Sequence, residues 1–298
     1  VVGALSRSVS GSENELFLEE ATAILADLAD PASLTALLNA LGSPYEEVRK
    51  NATWGLYRIR PSDNARVAAE LQKLVTSEAE PLSVRINAVR ALGAMGQDSA
   101  RLEVEKTLAT TLRLRSPEYA MLRYFAVQAL SRMPALSTET RDALLQTAAS
   151  NEPRIIRTAA LQTLLENGAR LGGEQSTVAG VAQRSEDPEV QLAALKLLAD
   201  HGASEAVGVA NKLLDTTDSP AMRMHVAYAL SKVKTEDAIS LLVNLAAAED
   251  TAELAMGFLR DADPRLVNRV VERRLQTEQD EQIISVLERL QAVAAGPQ

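Results

Sequence analysis

Apolar and polar positions along this chain repeat in a nine-residue pattern, apolar-Arg-x-x-Ala-x-x-small-Leu. It begins at Val48-Arg49 and ends at Gly55-Leu56, then returns from Val84-Arg85 to Ala91-Leu92, Leu122-Arg123 to Ala129-Leu130 and Ile156-Arg157 to Thr163-Leu164. Two further copies run from Val190-Gln191 to Leu197-Leu198 and from Met222-Arg223 to Ala229-Leu230. The Arg-equivalent positions 49, 85, 123, 157, 191 and 223 are separated by 36, 38, 34, 34 and 32 residues. That period predicts an array of two-helix units, each burying its apolar side only against its neighbours.

At 100° per residue, the residue before each Arg and those three, six and seven after it fall on one side of a helix. This side is expected to be buried, with the central Ala letting neighbouring helix axes approach closely. The pattern helices are each preceded by a polar residue and Pro: Ser43-Pro44, Glu80-Pro81, Ser116-Pro117, Glu152-Pro153, Asp187-Pro188 and Ser219-Pro220. Such pairs are helix-start signals. The first helix of the unit that ends at Gly42 is expected to open at Asp30-Pro31, and the others to span 62–75, 98–112, 138–149, 174–183, 204–214 and 236–247. Segment 17–25 fits the spacing without the Arg and reads as a preceding unit. Beyond 247 the period stays helical but the pattern decays, as expected of capping helices with a polar outer side.

These residues resemble the HEAT-repeat family, in particular its short-period subclass known from bilin lyases, over residues 14–247. The resemblance implies an all-α fold: a right-handed α-α superhelix of the HEAT/armadillo-like solenoid kind with about seven to nine helical hairpins. Residues 14–298 are then one solenoid, with regular repeats to 247 and atypical capping helices over 248–298. The resemblance also implies that the second helices line a concave surface and that the Arg of each unit joins a ladder of polar contacts between units. Carried onto this chain, the ladder is Arg49, Arg85, Arg123, Arg157 and Arg223, interrupted or only hydrogen-bonded at Gln191.

The positions one and five after each Arg point away from the buried side. They read Lys50, Ile86, Tyr124, Thr158, Leu192 and Met224 in one row, and Trp54, Arg90, Gln128, Gln162, Lys196 and Tyr228 in the other. Large apolar groups mixed with long polar ones are the composition of a protein or peptide contact surface. Trp54 with Tyr57 and Met224 with Tyr228 are the anchor candidates, supported by Arg90, Tyr124, Gln128 and Lys196. The competing reading has these rings filling gaps between helix layers.

Composition narrows the choice of function. The 298 residues are 46% hydrophobic but 3% aromatic, which suits a core of Leu, Ala, Val and Ile in thin helix layers. Having no cysteine excludes disulfides, thiolate metal sites and a cysteine nucleophile. There are two histidines, His201 at a helix end and His225 within a pattern helix, too few for a His-rich metal site. No phosphate-cradling glycine loop and no Gly-x-Ser-x-Gly motif occurs. Neither a catalytic constellation, a metal nor a cofactor is therefore expected.

A net charge of −9 weighs against a nucleic-acid surface, and no apolar run of membrane-spanning length is present. The expected function is a non-catalytic scaffold that binds a partner peptide or helix on the concave surface, with a monomer slightly favoured. The alternatives are an accessory, lyase-like module acting on a cofactor-bearing protein and a DNA-binding helical array. Val1 in place of Met and the Ser-rich stretch after it read as a trimmed or linker-derived segment, residues 1–13. Both a cytoplasmic chain and an exported, cell-envelope chain fit that start.

Overall fold

The computed structural model describes residues 1–62, 65–95, 101–168 and 171–295. Among them are eighteen α-helices, two 3₁₀ turns and no strand. The chain divides into two compact units, Val1–Asn167 and Gly168–Gln298.

Unit 1 holds α1 (Val2–Gly11), α2 (Glu15–Leu28), α3 (Leu34–Ala40), α4 (Glu46–Ile59), α5 (Ala65–Thr76), α6 (Leu82–Ala94), α7 (Arg101–Leu112), α8 (Ala120–Leu130), α9 (Thr138–Ala149) and α10 (Arg154–Glu166). The 3₁₀ turns Pro31–Ser33 and Pro117–Tyr119 lead into α3 and α8. Successive helices pair as hairpins, and the even-numbered members then stack α2 on α4, α4 on α6, α6 on α8 and α8 on α10. The expected helix starts at 98 and the residues 63 and 64 lie outside the described residues.

Unit 2 holds α11 (Gln175–Arg184), α12 (Pro188–Asp200), α13 (Glu205–Thr216), α14 (Pro220–Leu230), α15 (Glu236–Ala247), α16 (Ala252–Asp261), α17 (Pro264–Leu275) and α18 (Glu281–Ala295). Its second helices stack α12 on α14 and α14 on α16. The row of second helices thus continues into α16, past the point where the nine-residue pattern decays. Among the described residues the two units contain nine hairpins.

The N-terminal stretch departs from expectation. Where the sequence reads as a linker or trimmed segment, Val2–Gly11 is a helix that packs on α2 and α3 and buries Val9. It completes the hairpin of α2. Its apolar residues Val2, Leu5 and Val9 do stand at helical spacing, but with Gly3 and serines at 6, 8 and 10 among them the stripe is short.

Helix starts follow the polar-Pro signals, with a division of labour among them. Asp187 and Ser219 accept backbone amides of α12 and α14 through their side chains, with Pro at the first helical position. Asp263-Pro264 repeats this at α17. Glu80 and Glu152 do not cap: the prolines after them stand at the cap position, and each glutamate is used elsewhere. Asp30-Pro31 opens a 3₁₀ turn, and α3 begins at Leu34.

The buried side of each pattern helix is the one the spacing predicts. Ala52, Ala88, Ala126, Ala160 and Ala194 are fully buried, as is Val226 in the same position of α14. The residue four after each Arg is buried as well: Thr53, Val89, Val127, Leu161, Leu195 and Ala227. Met222 of α14 is the exception before the Arg, being half-buried.

Small residues set the distance between these helices. A Cβ on Gly93 of α6 would lie 2.4 Å from Ala129 Cβ and 2.8 Å from Ala129 Cα of α8. A Cβ on Gly55 of α4 would meet Leu37 Cδ1 at 2.7 Å and Ala26 Cα at 3.0 Å. The backbones are too close there for any other residue without movement.

First helices are tied to each other by a buried carboxylate. Glu105 of α7 is 3% exposed and accepts the Ser137 backbone amide at 2.6 Å, at the start of α9. Burial pushes its carboxyl up, but hydrogen bonds from Thr140 and Ser137, with the Arg101 charge, together hold it below the usual carboxylate range.

Two predictions follow from these contacts. Gly93→Val is expected to cost about 1–3 kcal/mol through overpacking, whereas Gly257→Ala in α16, where an added Cβ meets nothing within 4 Å, is expected to add about 0.5–1 kcal/mol. Urea unfolding of both variants checks the pair. Because the folded-state pKa of Glu105 is depressed, its contribution is present above the unfolded carboxylate pKa and is lost as pH falls through the folded value. Glu105→Gln is therefore expected to be less stable than the parent at neutral pH, with a smaller further loss on acidification; equal pH profiles would contradict it.

Candidate interaction surface

Helix ends leave carbonyls without intrahelical donors, and in four of the patterns the Arg reaches back to supply them. Arg49 Nη1 donates to the Ser43 and Pro44 carbonyls at 2.8 and 2.9 Å. Arg85 Nε donates to Val75 O at 3.0 Å, Arg123 Nη1 to Leu114 O and Ser116 O at 2.6 and 2.9 Å, and Arg157 Nε to Ala148 O at 2.9 Å. At the departing position Gln191 the amide does the same work, donating to Ser185 O at 2.7 Å. Thr251, before α16, uses a hydroxyl on Leu245 O at 2.6 Å.

Arg49, Arg123 and Arg223 reach forward to a carboxylate in the next turn. Arg49 pairs with Glu80 at 3.0 Å, Arg123 with Glu152 at 2.8 Å and Arg223 with Asp250. The residues missed from the sequence were these acids. For Glu80 and Glu152 a signal existed, since each stands directly before a turn Pro where the other turns have Ser or Asp. Arg85 takes a different forward partner, sitting 5.0 Å from the Tyr119 ring centre.

The outward rows form a separate patch in each unit. In unit 1, Trp54 and Tyr57 of α4 pair with ring centres 5.2 Å apart. The Arg90 guanidinium of α6 lies over both, at 4.8 and 4.5 Å, and over Phe125 of α8 at 5.1 Å. These side chains are half-buried, so the rings are packed between helices and still border the surface. Tyr124, edge-on to Phe125, and Gln128 lie beside them, and together with Arg132 they bound a cavity of about 100 Å³. Phe125 and Arg132 were not among the expected contact residues; they lie two and nine positions after Arg123, outside both outward rows.

In unit 2, Met224 and Tyr228 of α14 are 41% and 52% exposed. Tyr228 packs edge-on to Phe258 of α16 at 6.1 Å, and the Lys232 ammonium lies 5.2 Å from its ring centre. Lys232 is also bound to Asp200 at 2.9 Å; that hydrogen bond chiefly, with Tyr228 adding to it, raises its pKa. Lys196 of α12 is half-buried.

Acid-base and metal chemistry find little to work with. Among the described residues no group of three or more His, Asp or Glu is placed to hold a metal ion. His201 Nδ1 sits 2.8 Å from Leu197 O at the end of α12, and His225 is exposed. A second cavity in unit 1, about 230 Å³, is bordered by Val9, Leu18, Asn39, Ser43 and Val48 and has no titratable side chain in its wall. No described helix is long and apolar enough to cross a membrane.

Comparison with known proteins agrees with this geometry. Residues 178–260 match the family model described as HEAT repeats. The matched stretch spans α11 to α16, including the helix that has lost the nine-residue pattern. An engineered protein of known crystal structure is similar over 99% of this chain and 88% of its own, at 21% identity and a TM-score of 0.59. The Escherichia coli protein YibA is similar over 97% and 91%, at 13% identity and a TM-score of 0.56. At those identities the likeness is one of fold, an all-α helical repeat of the HEAT and armadillo kind. No curated protein matches the chain.

The ladder arginines differ in burial, and their removal should rank accordingly. Arg123 is 2% exposed, and truncation would leave two carbonyls and Glu152 without their donor. Arg123→Ala is expected to cost about 3 kcal/mol. Arg223→Ala, where the pair is 30% and 23% exposed, is expected to cost about 1 kcal/mol. Denaturant unfolding that reverses this order would count against a structural ladder.

Proposed function

We propose that this HEAT-repeat protein is a non-catalytic interaction scaffold that holds a partner peptide or helix on the outward side of its second helices. The observation that carries the reading is the separation of two jobs along one set of helices. The ladder arginines are consumed by turns and carboxylates, while residues one and five positions on leave Met224, Tyr228, Tyr124 and Gln128 at the surface beside packed rings. Aromatic and methionine side chains bordered by long polar groups are the usual make-up of contact hot spots. Each unit contributes its own patch: Trp54, Tyr57, Arg90, Tyr124 and Gln128 in unit 1, and Lys196, Met224 and Tyr228 in unit 2.

Capture of binding proteins from native host extract on the immobilised chain tests this. Met224→Ala with Tyr228→Ala, or Tyr124→Ala with Gln128→Ala, is expected to lower recovery of one dominant partner at least tenfold while the melting temperature stays within a degree or two of the parent. Leu102→Ala, on the exposed side of a first helix, is expected to change nothing. Retention of every partner by both double variants, or loss on Leu102→Ala alone, would overturn the assignment of the face.

A further inference from the structure

The cavity at the α6–α8 junction of unit 1 has a wall of unusual chemistry. Two of its residues, Arg90 and Arg132, carry guanidinium groups that can only donate hydrogen bonds. Tyr57, Tyr124 and Gln128 add hydroxyl and amide donors, and no acidic side chain borders it. Among the described residues neither guanidinium makes an ion pair or hydrogen bond, so these two differ from every ladder arginine.

Arg90 is nonetheless held in place. Three rings, Trp54, Tyr57 and Phe125, lie within 4.5 to 5.1 Å of its guanidinium carbon. Cation-π contact attracts the charge without neutralising it and does not consume the N–H groups. The result is a fixed, partly dehydrated cation with its donors unspent. Fixing a donor in advance removes part of the ordering cost of binding.

We propose that this cavity receives the carboxylate of a Glu or Asp side chain from a peptide docked on that face, an inference that rests on the scaffold reading above. A flat carboxylate matches the planar guanidinium edge in a two-point contact, and Arg132 at the rim supplies a second positive charge. The rest of the chain bears on the choice of anion. Residues 1–167 hold 18 Lys and Arg against 20 Asp and Glu, while residues 168–298 hold 13 against 20. Unit 1 is close to neutral, and a singly charged carboxylate meets less long-range repulsion from the whole than a doubly charged phosphate would.

Trp54 is the one tryptophan of the chain and stands 4.8 Å from the Arg90 guanidinium carbon, so its emission reports on this site. The intact chain is titrated with a Glu-, Ala- and Leu-containing helical peptide, with the same peptide carrying Gln for Glu, and with one carrying phosphoserine for Glu. The Glu peptide is expected to change Trp54 emission saturably, to bind at least tenfold more tightly than the Gln peptide and to weaken as salt rises. Arg132→Gln, at an exposed position, is expected to weaken the Glu peptide about tenfold with no change in melting temperature.

Equal binding of the Glu and Gln peptides would overturn the carboxylate pocket while leaving the docking face standing. Binding of the phosphoserine peptide alone, or indifference to Arg132→Gln, would overturn it too. Absence of any emission change would do the same, and partner capture by the intact chain, measured separately, would then show whether the scaffold reading survives.

Discussion

Backbone proximity between neighbouring second helices is the constraint on which the other features depend. Where α6 meets α8, a single added Cβ at Gly93 would fall 2.4 Å from the Cβ of Ala129, and the α4 contact at Gly55 is nearly as close. Helices this near can bury only small side chains at the seam, which is why the central pattern position is Ala in five copies of six. Larger apolar groups are displaced to the flanks, as Leu56, Leu92 and Leu130 are. Bulky rings are excluded from the seam altogether. The low aromatic content of the chain is one result of the same geometry.

Close stacking creates a second requirement at the ends of the first helices. Their last carbonyls face into the next helix, where water cannot reach all of them, so each needs a donor from the protein. The variation among units shows what is being selected. Arginine serves at four turns, an amide at Gln191 and a hydroxyl at Thr251, and each reaches a carbonyl at 2.6 to 3.0 Å. Donation is common to all of them; positive charge is not. The forward carboxylates Glu80, Glu152 and Asp250 are present only where a guanidinium has N–H groups left over, and they answer the cost of burying its charge.

How much of this is legible in the sequence depends on how many copies repeat it. The period, the buried side and the donor role of the Arg position recur in six units, so each reinforces the others. Helix α1 is a single event with Gly3 and alternating serines, so its short Val2, Leu5 and Val9 stripe has no second copy to reinforce it, and its packing on α2 and α3 is what sets it apart from a linker. Helix α16 had lost the pattern yet keeps its place because Ala255, Met256 and Leu259 still supply an apolar side. The grouping around Arg90 was partly visible, since Trp54, Tyr57 and Arg90 had been placed on one outward side. Phe125 lies at a different offset in the pattern, and its arrival over the same guanidinium requires the lateral shift between α6 and α8, which no single-helix projection contains.

That last point bears on how a repeat surface acquires a specific site. Nine aromatic residues serve the whole chain, and four of them, Trp54 and Tyr57 on α4 and Tyr124 and Phe125 on α8, gather on either side of Arg90 on α6. The seam gives no reason for such a gathering, because the same seam is built in unit 2 from Ala194, Leu195 and Ala227 with no ring at all. Nor does charge balance explain it, since Arg90 is left without a carboxylate while Arg49 and Arg123 in the same unit each obtain one. A cation packed by rings and spared a counter-ion costs the fold some of the pairing energy its neighbours receive. The compensation available on that surface is a ligand's negative charge, and this sets the α4–α6–α8 patch apart from the repeats that merely continue the array.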